Sequence, residues 1–379
     1  MKFKLLAVAV AAAISTPAFA DSEASTKAGS GLKVKTDDVS LEVGGRVQFD
    51  YDWFDGDAFA KGDVSGSDSE LRRARIFLKG KVGKDWEAKI RGDFKEDGST
   101  KVDEGYLQYK GWDFADVIIG KHKAPFSLEN QTSSKDITAI ERTMATNAFA
   151  PGNQNGIALS KGEKDYSWAL GVYDMGDEGG NVATAIVGRA TFAPIISKEE
   201  VLHLGFGFKQ QRLAGNAYKE ADQRLEVHTA DEKVGASTIN GESMTAYNFE
   251  VAYVSGPFHA QAEYFDGEIT EVLGSNTGDT DLSGYYAQFG YILTGETRPY
   301  SKGKFKRVKP KGDAGAWEVF GRYSQYEAGS DEADAFTLGL NYYANNAIRI
   351  GLNYVKGDLT EGGVDKDGNA LAVRFQYVF

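Results

Sequence analysis

The chain has 379 residues, a formal net charge of −12 and no cysteine. This acidity disfavours a nucleic-acid partner, because binding to phosphates requires basic surfaces. It does not decide which ions a pore would admit, because the field inside a pore depends on the residues that line it. The length admits two ordinary soluble domains or one large barrel. The composition of 45 Gly, 19 Tyr, 22 Phe and only 7 Pro favours strands, since proline is excluded from the middle of a sheet.

Residues 1–20 have the organisation of a secretory signal peptide. Lys2 and Lys4 give a basic start, the stretch 5–14 is apolar, and a small-x-small pattern ends at Ala20. A membrane anchor is the alternative, but ten apolar residues fall short of the ~20 that a spanning helix needs. We therefore predict cleavage after Ala20 and export. An exported chain without disulfides must be stabilised in another way, and a closed barrel with every backbone group paired would serve.

A polar periplasmic segment is expected over residues 21–38, followed by one folded domain over 39–379. Within this domain apolar and polar residues alternate with the period of two that a strand requires. A soluble β-sandwich would show the same alternation. The barrel is favoured by the mixed charges on the polar faces and by the aromatic residues near strand ends. It is also favoured by the last strand, which runs alternately apolar and polar to Phe379.

The fold class predicted is all-β, a transmembrane antiparallel β-barrel of sixteen strands with a long loop folded into the lumen. Barrels of roughly 16–18 strands leave an aqueous channel, so this count indicates a pore. The predicted strands lie near 39–53, 70–83, 85–96, 102–110, 115–123, 156–161, 165–175, 183–193, 200–212, 244–255, 258–268, 283–294, 316–327, 334–344, 347–357 and 369–379.

Short turns between these strands are expected at the periplasmic end and long connections at the external end. The stretch 124–155, with 32 residues, is the candidate for the loop that folds into the lumen. The long connections predicted to be external are 54–69, 124–155, 213–243, 295–315 and 358–368.

Basic residues dominate the polar face of the first three strands. An Arg turned toward lipid would cost about 2–4 kcal/mol at the midplane, so these side chains must face the lumen. Arginine suits oxyanions because its planar fork makes paired hydrogen bonds. The alternative is a balanced, solvated wall, because Glu42, Asp50, Glu87 and Asp93 share these faces. The basic residues are Arg46, Arg73, Arg75, Lys79, Lys81, Lys89 and Arg91.

A dense basic run, from Lys302 to Lys311, falls in the connection 295–315. In an external loop it could attract anions to the mouth, bind lipopolysaccharide phosphates, or simply be solvated. Signals for catalysis or for a metal are thin. The four histidines, at positions 122, 203, 228 and 259, do not have the spacing of metal ligands. We therefore expect no enzyme activity, no metal and no cofactor.

Several stretches of the sequence carry a family resemblance, namely 44–48, 71–74, 84–86, 132–142, 256–264, 284–288, 293–296, 315–320 and 376–379. Together they resemble the phosphate-selective porin O and P family of Gram-negative outer-membrane porins. The resemblance covers roughly residues 32–379, and the block 284–320 is specific. It implies a homotrimer of sixteen-stranded barrels in the outer membrane, with loops folded into a constriction lined by basic residues.

The resemblance also implies roles for individual residues. Arg46, Arg72, Arg73 and Arg142 match the lumen arginines of the family, Lys135 matches a lysine of the segment Thr-Ser-Ser-Lys, and Asp103 matches the constriction aspartate. Two positions depart from the lysines of strongly phosphate-selective members. They are Glu87 and Asn130, and these changes should weaken a tight phosphate site.

The sequence thus predicts a trimeric diffusion porin of the outer membrane that prefers small anions such as phosphate. Arg75 joins the candidate lining residues on its place in the strand pattern. Outer-membrane lipid and lipopolysaccharide are the other expected partners. Two alternatives stay open at this point. One is a general or weakly cation-preferring porin without a phosphate site, and the other is a membrane-embedded hydrolase or an adhesin.

Overall fold

The computed structural model describes residues 23–60, 65–94, 96, 98–178, 181–235, 239–272 and 278–379. The predicted signal peptide, 1–20, lies outside these ranges. Within them, no helix has the length and apolar character needed to cross a membrane. The helical elements are α1 (Leu128–Gln131), α2 (Met144–Phe149) and a 3₁₀ turn (Lys219–Ala221).

The strands are β1 (Glu23–Lys27), β2 (Gly31–Lys35), β3 (Val39–Gly56), β4 (Ser65–Val82), β5 (Trp86–Phe94), β6 (Thr100–Tyr109), β7 (Asp116–Lys123), β8 (Asn153–Gly162), β9 (Tyr166–Glu178), β10 (Asn181–Ile196), β11 (Glu200–Arg212), β12 (Ser243–Ser255), β13 (Phe258–Thr270), β14 (Thr280–Ile292), β15 (Tyr300–Ser301), β16 (Lys304–Phe305), β17 (Ala316–Ala328), β18 (Asp331–Tyr343), β19 (Ile348–Glu361) and β20 (Val364–Val378).

Sixteen of these strands, β3–β14 and β17–β20, form one closed antiparallel ring. Consecutive strands of the ring are hydrogen-bonded neighbours, and β20 closes it against β3 in a register that runs from Gly368 opposite Gly56 to Val378 opposite Arg46. The hairpin β1–β2 adds to the beginning of β3. The predicted sixteen-stranded barrel is confirmed, and closure leaves no long unpaired edge.

The apolar faces of the strands point outward. In β19 the burial alternates strictly from Ile348 to Tyr354, with Ile350 and Tyr354 exposed and Arg349 and Asn353 buried. A soluble sandwich would bury the apolar face and expose the polar one. The opposite arrangement is the one that lipid outside and water inside require.

The basic run between β14 and β17 lies at the end of the barrel where β3 begins and β20 ends. This is the end with short turns such as 344–347, which is the periplasmic end of bacterial barrels. The predicted external position of 295–315 is therefore wrong, because β14 is a descending strand of the ring. Neither attraction of anions to the external mouth nor contact with lipopolysaccharide fits this position. The long connection predicted over 358–368 is also wrong, since β19 and β20 are separated by only residues 362 and 363.

Candidate functional site

The segment 124–152, between β7 and β8, contacts buried side chains on several sides of the ring. Gln48 of β3, Lys209 of β11 and Arg349 of β19 donate to its carbonyl oxygens at 3.2, 2.8 and 2.6 Å. Glu263 of β13 accepts hydrogen bonds from two of its amide nitrogens at 2.9 and 2.8 Å. These strands are spread around the ring, so the segment is held by inward-facing groups on opposite walls.

The connection 293–315 approaches the same region from the periplasmic end. Arg189 of β10 donates from Nη2 to the carbonyl oxygen of Gly303 at 2.8 Å. Phe305 is buried in one apolar cluster with Leu128 of α1, and the guanidinium of Arg298 lies 4.2 Å from the centre of its ring. These contacts bring the tip of the connection, the hairpin β15–β16, against the segment 124–152.

One carboxylate of the segment 124–152 binds arginines of β4 and β20, the two strands that flank β3. Glu141 accepts from Arg72 at 2.8 and 3.0 Å and lies 3.5 Å from Nη1 of Arg73. Arg374 of β20 donates to the same carboxylate at 2.5 Å. Burial raises the pKa of Glu141, but these three guanidinium groups outweigh it and hold the pKa well below its usual range. The carboxylate is therefore ionised and fixes the segment to the wall.

Two β-bulges orient the charged residues of this wall. The register between β3 and β4 shifts between Gln48 and Asp50, so that the consecutive residues Arg72 and Arg73 both reach Glu141. A second shift occurs between β5 and β6, beside Arg91. A bulge places two residues of one strand opposite one residue of the next, which turns adjacent side chains to the same face.

An open cavity of about 520 Å³, the outer cavity, lies among the external ends of β5–β8, the segment 124–152 and Lys304. Ten basic and two acidic side chains line it. Five predicted site residues are among them, namely Arg46, Arg73, Arg75, Asp103 and Arg142. The other basic residues are Lys89, Arg91, Lys101, Lys121, Lys123 and Lys304, and Glu104 is the second acid.

Both acids of the outer cavity are already bound to cations. Asp103 contacts Nη2 of Arg91 at 2.5 Å and Nη1 of Arg75 at 3.1 Å. Glu104 contacts Lys89 at 2.5 Å and Arg91 at 3.0 Å. The negative charge in the cavity is therefore neutralised locally.

Six cations of the outer cavity have no such partner. Within the part of the chain that the structure describes, no carboxylate lies within 4.0 Å of their nitrogen atoms. Arg46 donates to the hydroxyl of Ser133 at 3.1 Å, and Arg142 donates to two backbone carbonyls, at 3.1 and 2.9 Å. The other four are Lys101, Lys121, Lys123 and Lys304. Their excess charge is available to a dissolved anion.

A second cavity of about 690 Å³, the inner cavity, lies toward the periplasmic ends of β6–β9. Lys110, Asp116 and Lys161 are on its wall. Four side chains line both cavities, and the two spaces therefore meet between them. These four are Glu104, Lys123, Gln131 and Lys304.

Two predicted site residues lie outside the outer cavity. Arg72 is occupied by Glu141. Lys135 lines a separate space of about 370 Å³ at the periplasmic end, together with Lys27, Lys306 and Lys309. Lys135 thus lines a different space from the arginines with which the family resemblance groups it.

The two departures from the family pattern have different surroundings. Glu87 is bound by Lys110 at 3.0 Å, Lys79 at 3.3 Å and Lys81 at 3.6 Å, and it lines neither cavity. These three lysines neutralise its negative charge. Asn130, in contrast, lies on the wall of the outer cavity.

Sequence reasoning missed Lys123 and Lys304 as lining residues. The pattern Lys121-His122-Lys123 in a predicted strand was a signal for the first, because alternate residues share one face. Lys304 had no comparable signal, because its position depends on how a long connection folds back into the ring.

A closed sixteen-stranded ring with an apolar outer face, a charged inner face and open polar cavities defines an outer-membrane channel protein. The family model of the phosphate-selective porins O and P matches residues 41–379, and the chain belongs to this family. It is therefore a porin of the outer membrane, a channel rather than an enzyme.

Similar proteins agree with this assignment. Porin O of Pseudomonas aeruginosa is 32% identical over 434 residues, covering 99% of this chain and 98% of the relative. An anion-selective porin from Comamonas acidovorans shares the fold with a TM-score of 0.61, at 14% identity, covering 90% of this chain and 100% of that one. OmpT of Vibrio cholerae, in a trimer form, shares it with a TM-score of 0.56, at 14% identity, covering 90% of this chain and 100% of that one.

Proposed function

We propose that the chain forms a water-filled diffusion pore that selects small anions, inorganic phosphate among them, through the outer and inner cavities. The observation that carries this proposal is the lining of the outer cavity, with ten basic side chains and two acidic ones that are already paired. A lumen lined by one sign of charge raises the local concentration of the opposite ion. This local excess outweighs the net charge of −12, which is spread over the whole chain.

The family description and the name of one similar protein support the same direction. The family is described as phosphate-selective, and the similar porin of Comamonas acidovorans is described as anion-selective. The segment 124–152 and the hairpin β15–β16 would then narrow the lumen. Their contacts with opposite walls suit a fixed constriction.

Assembly and export complete the proposal. A homotrimer is proposed because the family resemblance implies one and because OmpT of Vibrio cholerae has a trimer form. The segment 1–20 is proposed to be a cleaved signal peptide. Outer-membrane lipid would contact the exposed apolar band of the barrel. Lipopolysaccharide is proposed as a neighbour at the external side.

A cation-preferring pore is the second candidate, since Asp103 and Glu104 are in the outer cavity. Their pairing with Arg75, Arg91 and Lys89 argues against it. The reversal potential of single channels in a KCl gradient separates the two candidates. We expect its sign to show excess chloride flow, and excess potassium flow would contradict the proposal.

Anion selectivity should fall as the pH rises. Burial, followed by the nearby cations Lys306 and Arg189, lowers the pKa of Lys304 to about 8, although Glu104 acts in the opposite direction. A lysine is charged below its pKa, so a rise from about pH 7 to about pH 9.5 removes this charge. Reversal potentials in KCl gradients at both pH values should show a smaller chloride preference at the higher pH. Chloride does not titrate in this range, so the change reports the protein.

The variant Lys304→Met is the control for this pH dependence. At neutral pH it should already show the reduced chloride preference, and most of the change with pH should be gone. A pH dependence of the same size in Lys304→Met would assign the effect to other groups.

A further inference from the structure

The inner cavity has an uncharged patch on its strand wall. Ile118 of β7 lies directly opposite Ala158 of β8, and Ala169 of β9 lies opposite Ser160 of β8. Opposite residues project to the same face of a sheet, as do residues two apart on one strand. Ile118, Ala158 and Ala169 all line the inner cavity, and we name these three side chains the apolar patch.

The apolar patch departs from the rule that the strands of a pore present polar groups to the lumen. Packing within the protein accounts for only part of it. Ala158 is buried in the apolar cluster that also contains Phe126 of the segment 124–152. Ile118 packs against the edge of this cluster and stays half-buried, and Ala169 is half-buried as well. The uncovered part of the patch faces the open space of the inner cavity, where a solute could cover it.

The outer cavity has no comparable patch among its described lining residues. Apart from Pro151 and Gly152, each of them carries a charge, an amide or a hydroxyl group. A solute that has passed the outer cavity therefore meets an apolar wall only when it reaches the inner one. The two cavities thus differ in the chemistry that they offer, and the inner cavity can distinguish anions by their uncharged part.

Unpaired cations lie on both sides of the apolar patch. Lys304 lines both cavities and lies at their junction. Lys302 lies toward the periplasmic end, where a Cβ on Gly162 would come within 3.2 Å of its Cδ. Gly162 follows Ala158 by four residues of β8, which is about 13 Å along a strand. Among the described residues, no carboxylate lies within 4.0 Å of either ammonium group.

We propose that the inner cavity is a binding site for organic carboxylates that have an apolar body, such as an aromatic ring. The ring would cover Ile118 and Ala169, and the carboxylate would bind Lys302 or Lys304. The volume of about 690 Å³ lies within the roughly 300–1,000 Å³ of small-molecule sites, which combine apolar walls with a few polar groups. This inference rests on the proposed anion-conducting function and extends its substrates to organic anions.

The test measures block of the single-channel chloride current by benzoate and by gluconate in planar bilayers at neutral pH. Both are monocarboxylates, but benzoate has an aromatic body and gluconate a hydroxylated one. We expect half-block by benzoate at a concentration about tenfold lower, because only its ring gains from covering the apolar patch. Ile118→Asn should raise the half-block concentration of benzoate about fivefold and change that of gluconate by less than about twofold.

Ile118→Leu is the matched control, because it keeps an apolar side chain of similar volume at the same position. Its block by benzoate should equal that of the wild type. The reversal potential in a KCl gradient should be unchanged in both variants, since neither alters a charge. Should Ile118→Asn give no channels, Ile118→Thr places a smaller polar side chain there and provides the same readout.

The outcomes separate this inference from the proposed function. Equal half-block concentrations of benzoate and gluconate in the wild type would overturn the inference while leaving the anion pore intact. An unchanged block by benzoate in Ile118→Asn would also overturn it, because the ring would then not bind at the apolar patch. A wild type that prefers potassium in the KCl gradient would overturn the proposed function itself.

Discussion

Replacing Arg46 by glutamate should lower the ratio of chloride to potassium permeability by about tenfold. Two unit charges about 5 Å apart in water interact by roughly 0.8 kcal/mol, and the reversal changes the local charge by two units. Screening by salt removes part of this energy. The remainder repels chloride and attracts potassium, so the two effects combine in the permeability ratio. Arg46 lines the outer cavity, and among the described residues it has no carboxylate partner. No neighbouring negative charge therefore cancels its effect on the ions in the pore.

The control for this result is Lys84→Glu, the same change of charge at an exposed residue of the turn between β4 and β5. It should leave the permeability ratio close to that of the wild type. The ratio is obtained from reversal potentials in a KCl gradient. An unchanged ratio in Arg46→Glu would mean that Arg46 lies outside the path that ions take.

Replacing Glu141 by glutamine should loosen the segment 124–152 and destabilise the barrel. Removal of one partner from a buried ion pair costs about 3–5 kcal/mol, because the other charges stay buried without compensation. Here Arg72, Arg73 and Arg374 lose their common carboxylate. Arg374 keeps Asp50 and Arg72 keeps Glu70. Among the described residues Arg73 keeps no carboxylate within 4.0 Å, so the cost comes mainly from its buried charge. We expect a lower temperature of unfolding in detergent and larger fluctuations of the open-channel current.

The pair of the half-buried Lys161 and the exposed Glu163, 3.3 Å apart at the open wall of the inner cavity, provides the comparison. Glu163→Gln should change stability by only about 0–1 kcal/mol, because water and salt screen such a pair. Equal unfolding temperatures for Glu141→Gln and the wild type would show that Glu141 does not anchor the segment.

The pH dependence of this anchor has a definite sign. The pKa of Glu141 is held well below its usual range, so its contribution is present above the ordinary pKa of a glutamate. It is lost only as the pH falls through the lower value in the folded protein. The segment should therefore stay anchored at neutral and mildly acidic pH.

The barrel could be predicted from the sequence because its signal is local and repeated. Each strand shows a period of two, and the alternation in strands such as β19 appears directly as outward and inward faces. Counting these segments gave the sixteen strands of the ring. The same local signal placed Arg46 and Arg75 in the lumen, where the outer cavity contains both.

The bulges broke this rule, and a physical argument could have located them. A strict period of two would turn either Arg72 or Arg73 toward lipid, and likewise either Asp103 or Glu104. A charge facing lipid is strongly unfavourable at the midplane. Adjacent charged residues inside a spanning strand therefore indicate a bulge, and the register shifts occur at both places.

The position of the basic run needed only a count of strand directions. The connection 293–315 follows the twelfth strand of the ring, and every even-numbered strand returns to the end where the ring begins. Its length suggested an external loop, and length was the weaker indicator. The inward fold of its tip, which brings Lys304 to the junction, depends on long-range contacts that no local pattern records.

The central claim is that the basic lining of the outer cavity sets the ion selectivity of the pore. The negative net charge of the chain as a whole does not. The reversal potential of the purified wild-type channel in a KCl gradient tests this most directly. The ten basic lining residues predict a sign that corresponds to excess chloride flow. The chloride current should be reduced when inorganic phosphate is added. A sign that corresponds to excess potassium flow would contradict the claim.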